Sequence, residues 1–238
     1  MTEGGEQGEQ REVVSVRDEC DCLSRPRELP RHLHTERQDT SAPGWLRLLE
    51  LIEEAAADGR EEFAPLRELP PEQRRQIVTL PPTIAELRAV RHLLLYGSNL
   101  VRVPPEIGAM ESLEQFDPYT SYRLHWFPYE ITRCRNLRDS TVSTRAIYGN
   151  FKNRLPFPGI RPPVVPPGAG EACSVCAGPL PPSGPDQVWI SLMVATDVLP
   201  LLVNACSQSC IDALPEPAAH HVATFHRGGP DMVQPPTR

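Results

Sequence analysis

Four cysteines in the C-terminal third carry the clearest chemistry in the sequence. They fall in two close pairs, Cys173-Ser-Val-Cys176 and Cys206-Ser-Gln-Ser-Cys210. Two such pairs separated by a hairpin-sized gap are how a small unit gathers four soft thiolates around one tetrahedral ion. The donor set suits Zn2+ as cofactor, with Cys173, Cys176, Cys206 and Cys210 as ligands. One rival reading is a thiol redox pair at Cys173 and Cys176. Such a pair normally opens a helix that lowers a thiol pKa. Here Ala177-Gly178-Pro179-Leu180-Pro181-Pro182 follows, which cannot make that helix. The other rival puts His220 or His221 in place of Cys210, although four cysteines already complete the shell.

These ligands need elements to hold them. The run Val188-Trp189-Ile190-Ser191-Leu192-Met193-Val194 is strand-forming, and Leu201-Leu202-Val203 follows a Pro break, which reads as a hairpin. Ile211 to Leu214 reads as a short helix, with Cys206 and Cys210 at i and i+4 facing the metal. The pattern resembles the treble-clef zinc fingers, in particular the TRASH-like group with its C-x-x-C knuckle and C-S-x-x-C helix start. Ser207 matches the Ser after that group's third Cys. The gap is longer here, and Ala205 stands where the group has an aromatic. From Glu171 to Glu216 there is no Lys or Arg, so this unit is unsuited to binding phosphates. Its ion would be structural, holding a fold too small to bury an adequate core.

Upstream, an apolar skeleton returns three times between Leu80 and Leu137: L-P-P-x-I-x-x-L, V-P-P-x-I-G-x-M-x-x-L and F-P-Y-E-I-x-x-C-x-x-L. Leu87, Met110 and Cys134 hold one slot of it, which makes Cys134 a core residue before it is a nucleophile. The L-x-L part is strand-like and the I-x-x-L part a tight helical or 3₁₀ return. Residues 66–158 therefore resemble the leucine-rich repeat family, in its form of about 23 residues per unit. The resemblance implies a short curved solenoid with a parallel sheet on its concave face. Trp45, Leu48, Leu49, Ile52 and Ala56 mark an amphipathic helix upstream, placed to cap that solenoid. The family's Asn slot falls on Ser98, and in the next unit on Tyr122 after a one-residue insertion. Tyr148-Gly149 with Arg154-Leu155-Pro156 copies the spacing of Tyr96-Gly97 with Arg102-Val103-Pro104, so the register recovers.

The expected fold class is thus α/β: a short leucine-rich-repeat solenoid with an N-terminal capping helix, followed by a small treble-clef-like zinc finger. Its parts are a disordered segment 1–43, the capping helix 44–61, repeats 62–158, a Pro-rich linker 159–170, the finger 171–216 and a disordered tail 217–238. Cys20 and Cys22, with His32 and His34, lie in the first of these and read as incidental.

Aromatics and arginines gather in the irregular half of the repeats. Tyr119, Tyr122, Arg123, His125, Trp126 and Tyr129 make a candidate partner-binding face, since Arg and aromatics dominate interface hot spots. An equally weighted reading has Trp126 and Phe127 filling the core while the arginines solvate a face. A third, nucleic-acid binding through residues 119–161, draws on base stacking. No Gly-rich phosphate loop or H-E-x-x-H motif is present, so the chain reads as a non-enzymatic module for a protein partner. A net charge of −7 gives no bias towards nucleic acid or anionic membrane. The start of the chain is acidic and carries no secretory pattern, and the longest apolar run is broken by Asp197 and Pro200, which suggests a cytoplasmic, membrane-free protein.

Overall fold

Pro43 opens the first helix, α1 (Pro43–Asp58), and Gly59, at a left-handed φ of 65°, closes it. Trp45, Leu48, Leu51, Ile52 and Ala55 are its buried face. Leu49 and Ala56, expected on that face, are only partly covered. The computed structural model describes residues 33–152, 154–164 and 170–236, and it is a mixed α/β structure with two sheets. Among the described residues no helix is long and apolar enough to cross a membrane.

The first sheet is parallel, with β1 (Glu62–Phe63), β2 (His92–Leu94), β3 (Gln115–Asp117) and β5 (Asp139–Ser140) in that order. His92 pairs with Gln115 and Gln115 with Asp139, so the chain advances by 23 and then 24 residues per strand. Short helices α2 (Pro65–Glu68) and α3 (Pro71–Arg74) bridge β1 and β2. The later returns are 3₁₀ turns at Pro82–Glu86, Pro105–Ala109 and Tyr129–Arg133, each entered from a Pro in extended conformation. Proline fixes φ and has no N–H to lose at a first turn, which is why the P-P and P-Y pairs sit there. The turns close alike, the amides of Leu87, Met110 and Cys134 donating to Ile84, Ile107 and Ile131.

Two details fix the register. Glu61, Arg91, Glu114 and Arg138 precede successive strands, and each is ion-paired to the next: Arg91 to Glu61 at 3.4 Å and to Glu114 at 2.6 Å, and Arg138 to Glu114. Exposed pairs of this kind contribute at most about 1 kcal/mol each, but a slipped strand would set like charges side by side. Inside, Ser98 Oγ and Ser121 Oγ lie 2.6 Å apart, and Ser121 Oγ donates to the Leu95 carbonyl. Ser121, not Tyr122, therefore holds the slot of Ser98 in the next unit. The inserted residue falls later, between Ser121 and Pro128.

The second sheet joins the two halves of the sequence. β6 (Asp186–Val194) and β7 (Asp197–Ala205) form the expected hairpin, and β7 also pairs in parallel with β4 (Phe127–Pro128). The hairpin is covered on both faces. Val188, Ile190 and Leu192 of β6 join the main core with the parallel sheet, while Trp189 joins a second cluster with Trp126, Tyr148, Leu155, Phe157, Ile160, Leu202 and Leu33. Helix α4 (Gln208–Asp212) follows β7.

Parts of the two segments expected to be disordered pack against the core. Leu33 and His34 are buried, because Leu33 completes the second cluster and His34 stacks on His125 with ring centroids 5.3 Å apart. In the tail, His226 exchanges both backbone hydrogen bonds with Trp189, and its ring packs edge-on against Phe157 at 4.6 Å. The stretch 159–164 of the Pro-rich segment is also docked, through buried Ile160 and through Val164, whose amide and carbonyl both bond the Gln187 side chain. Cys20, Cys22 and His32 lie outside the described residues.

Two predictions follow from this packing. A Cβ at Gly108 would sit 2.6 Å from the carbonyl oxygen of Glu130 on the next turn, so backbone must move. Gly108→Ala should destabilise by about 1–3 kcal/mol in chemical denaturation. Burial pushes the His226 imidazole down to about 4 from 6.5, and Gly228 N donates to its Nδ1. The unfolded chain takes up this proton first as pH falls, so stability is intact above pH 6.5 and is lost towards pH 4. The loss should be on the order of 2 kcal/mol in wild type and should vanish from the pH profile of His226→Phe.

Candidate metal centre

The four expected ligands meet at the open end of the hairpin. The Sγ atoms of Cys173, Cys176, Cys206 and Cys210 all lie within 4.8 Å of one another. Cys206 Sγ is 3.6 Å from both Cys176 Sγ and Cys210 Sγ. Four sulfurs about 2.3 Å from a common tetrahedral centre would be about 3.8 Å apart, so the donors fit one thiolate-bound ion. His220 and His221 are not members of this cluster.

Each ligand is set by local backbone chemistry. Cys173 and Cys176 bracket a tight knuckle. Ala177 N donates to Cys173 O, Cys173 N donates to Gly178 O, and Ala177 takes a left-handed φ of 59° to turn the chain back. The knuckle is fastened to the end of β7: Ser174 N donates to Asn204 O at 2.8 Å, and Asn204 N donates to Ser174 Oγ at 3.0 Å. Cys206 directly follows β7, and its amide donates to Cys173 Sγ at 3.4 Å. Cys210 rides on α4, which buried Ile211 anchors in the core. Burial raises the Cys173 thiol, but amides of Cys176, Val175 and Cys206 and the Cys176 thiol together outweigh it and bring it to about 7. That eases formation of the thiolate a metal requires.

The centre is tied to the third 3₁₀ turn. Arg133, at the end of the third 3₁₀ turn, donates to the Ser174 carbonyl at 2.8 Å. Glu130 in the same turn is buried, and burial raises its carboxyl above the usual range against opposing hydrogen bonds from its own amide and from Ser174. The hairpin's far end is tied down as well. Ser140 N donates to Thr196 Oγ1, Thr196 Oγ1 donates to Ser140 O, and Ser140 Oγ reaches Asp197 at 3.0 Å.

The aromatic-basic group divides. Tyr119 and Tyr122 are exposed and Tyr129 is half-buried, whereas Arg123, His125 and Trp126 are buried and present no face to a partner. Trp126 packs edge-on against Trp189 of the hairpin at 6.1 Å. His125 lies between His34, on which it stacks, and a tilted Tyr148 ring, and Arg123 is ion-paired with Glu36. With Arg123 and Trp126 inside, the nucleic-acid alternative loses two of its residues. A tyrosine outside the expected group belongs with the exposed pair: Tyr96 is 61% exposed, its ring 6.0 Å from that of Tyr119. The Tyr96-Gly97 dipeptide was the available signal. Cys134 is core, its thiol pushed up to about 12 by burial and donating to the Ile107 carbonyl.

No protein-family model matches the chain, and comparison with curated proteins found no significant match. The cysteine geometry makes its own prediction. The chain purified under reducing conditions should carry one metal ion, and Cys173→Ser or Cys210→Ser should lose it. Chelation should unfold the hairpin and lower the stability of the repeats with it, read as loss of the buried Trp189 and Trp126 fluorescence signature.

Proposed function

We propose that this chain is a non-enzymatic protein-binding module: a short leucine-rich-repeat solenoid whose C-terminal end is closed by a zinc-clamped, treble-clef-like hairpin. The observation that carries the binding reading is the row of Tyr96, Tyr119 and Tyr122. All three are exposed, and Tyr96 and Tyr119 follow adjacent strands of the parallel sheet, their rings 6.0 Å apart. Tyrosine offers a large, rigid contact area at low entropic cost together with a polar tip, which suits it to protein interfaces. The Asp117 carboxylate accepts the Tyr119 amide at 3.0 Å and holds the loop that carries this ring.

The repeat reading is supported by the 23- and 24-residue advance between parallel strands and by the Pro-led 3₁₀ turns. The choice of zinc rests on the donors: four thiolates, tetrahedral spacing and a purely structural setting. Bound there, zinc would supply folding free energy and no reaction chemistry.

A Tyr96→Ala/Tyr119→Ala/Tyr122→Ala variant removes exposed rings only and should keep the metal and the thermal transition of wild type. Partners recovered by the wild-type protein should be lost from this variant and retained by Met193→Ala, which removes an exposed side chain on the hairpin. An unchanged set of partners would show that the tyrosine row is not the binding face. Elemental analysis should find zinc rather than iron or copper.

A further inference from the structure

We propose that Cys176 is an oxidation site, and that its reaction with a peroxide joins it to Cys206 and ejects the metal. The proposal rests on the metal reading given above. The four sulfurs are not equivalent. Cys173 is fully buried, and the amides of Val175, Cys176 and Cys206 bond its sulfur. Cys210 is nearly buried on α4. Cys176 stands on the outside of the knuckle, exposed to solvent, and its sulfur contacts described here are to other cysteines. Thiolate character and access decide which cysteine is oxidised. Metal binding supplies the thiolate at neutral pH, and exposure supplies the access. Amide N–H bonds draw charge from the sulfur of Cys173 and damp its reactivity, whereas no such bond protects Cys176 among the described residues.

The finger's own sequence supplies no cation. The stretch Glu171 to Glu216 has no Lys or Arg, and Arg133 spends its contact on the Ser174 carbonyl. A four-thiolate site around a divalent ion carries a net charge of about −2. The resolving partner is in place, since Cys206 Sγ is 3.6 Å away and itself half-exposed.

The step balances. The Cys176 thiolate attacks the peroxide, the O–O bond breaks, an S–O bond forms, and the leaving hydroxide is protonated to water. The Cys206 thiolate then attacks that sulfur, the S–S bond forms, the S–O bond breaks, and a second water leaves. Two thiolates have given two electrons to one hydrogen peroxide, with two protons taken from solvent. Two of the four ligands are withdrawn, and the divalent ion is released.

The test uses the full chain. Metal content is measured first. Absence of metal under reducing conditions would end the metal reading itself, and this proposal with it. On loaded protein, hydrogen peroxide should release the ion, read with a chromogenic chelator. Peptide mapping should find the Cys176–Cys206 disulfide, and reductant plus metal should restore the starting state. Limiting iodoacetamide on the same loaded protein should alkylate Cys176 before any other described cysteine. Cys176→His keeps a metal ligand while removing the oxidisable sulfur, and should slow peroxide-driven release at least about tenfold. Metal that stays bound under peroxide, a disulfide that excludes Cys176, or alkylation that begins at another described cysteine would overturn the proposal. The alkylation order is read on the native chain and decides whether or not the histidine variant loads metal.

Discussion

The constraint on which the rest depends is the burial of one hairpin on both of its faces. A strand in a free-standing finger can leave one face to water. β6 cannot, because Val188, Ile190 and Leu192 sit in the main core with the parallel sheet while Trp189 sits in the aromatic cluster on the other side. Each large side chain so buried contributes about 1.5–3 kcal/mol. Trp189 also satisfies its indole N–H, which donates to the Pro158 carbonyl at 3.1 Å. The hairpin is then fastened at each end, by the cysteine cluster where β7 runs out and by the Thr196 turn against Ser140. A metal held there would bear on more than a local knuckle, since it would fix the end of the central strand of a three-stranded sheet whose third member is β4.

The same hairpin resolves a problem that stacked parallel strands create. Such a stack ends in an unpaired edge and an uncovered slice of core. At the N-terminal end α1 lays Trp45, Leu48, Leu51 and Ile52 over that slice. At the other end the edge strand, β5, is two residues long, and the Thr196 hydroxyl meets its backbone. This explains Ser140. Its counterparts on neighbouring strands, Phe63, Leu93 and Phe116, are apolar because another unit packs beyond them. Beyond Ser140 lies a polar turn, and a hydroxyl that bonds the Val194 carbonyl and the Asp197 carboxylate fits there where a phenyl ring would strand both.

How much of this was legible follows from which physical quantity each pattern encodes. Cysteine spacing encodes ligand geometry directly, and all four residues came together. Proline and the I-x-x-L spacing encode backbone turns, and those turns appear where the spacing put them. Aromatic and arginine content encodes neither burial nor exposure. Residue type leaves Trp126 open between surface and core and points Arg123 outward, because nothing local says that a hairpin from about 60 residues downstream will cover the first, or that Glu36 will pair with the second. The run Val188–Val194 did carry a clue. Its near-continuous apolar character is that of a strand buried on both faces, not of an alternating finger hairpin. The tail's low hydrophobicity and frequent proline describe a segment that cannot fold alone, which is compatible with one that docks, as His226 does, on a surface already made.

The polar layer beside Trp126 shows what docks the segment at residues 33–38. Arg102 and Arg123 are buried cations, and burial pulls the Arg102 guanidinium below its usual range. A buried charge needs a partner, and the segment at residues 33–38 brings one. The Glu36 carboxylate pairs with Arg123, and the Glu36 carbonyl accepts from Arg102 at 2.7 Å. The same segment brings Leu33 to the aromatic cluster that Trp189 and Ile160 complete from the other end of the chain. The sequence-distant ends are thus held by one layer for two reasons, apolar burial at Leu33 and charge compensation at Glu36. Losing the N-terminal segment would remove both at once, leaving two buried cations without their counter-charge and Trp126 without a neighbouring wall. The Glu36 carboxylate is itself 39% exposed, so water screens part of this pair and its loss costs less than that of a fully buried one. The ladder sets which strand stands beside which, while the buried layer, with the hairpin it packs against, holds the stack closed.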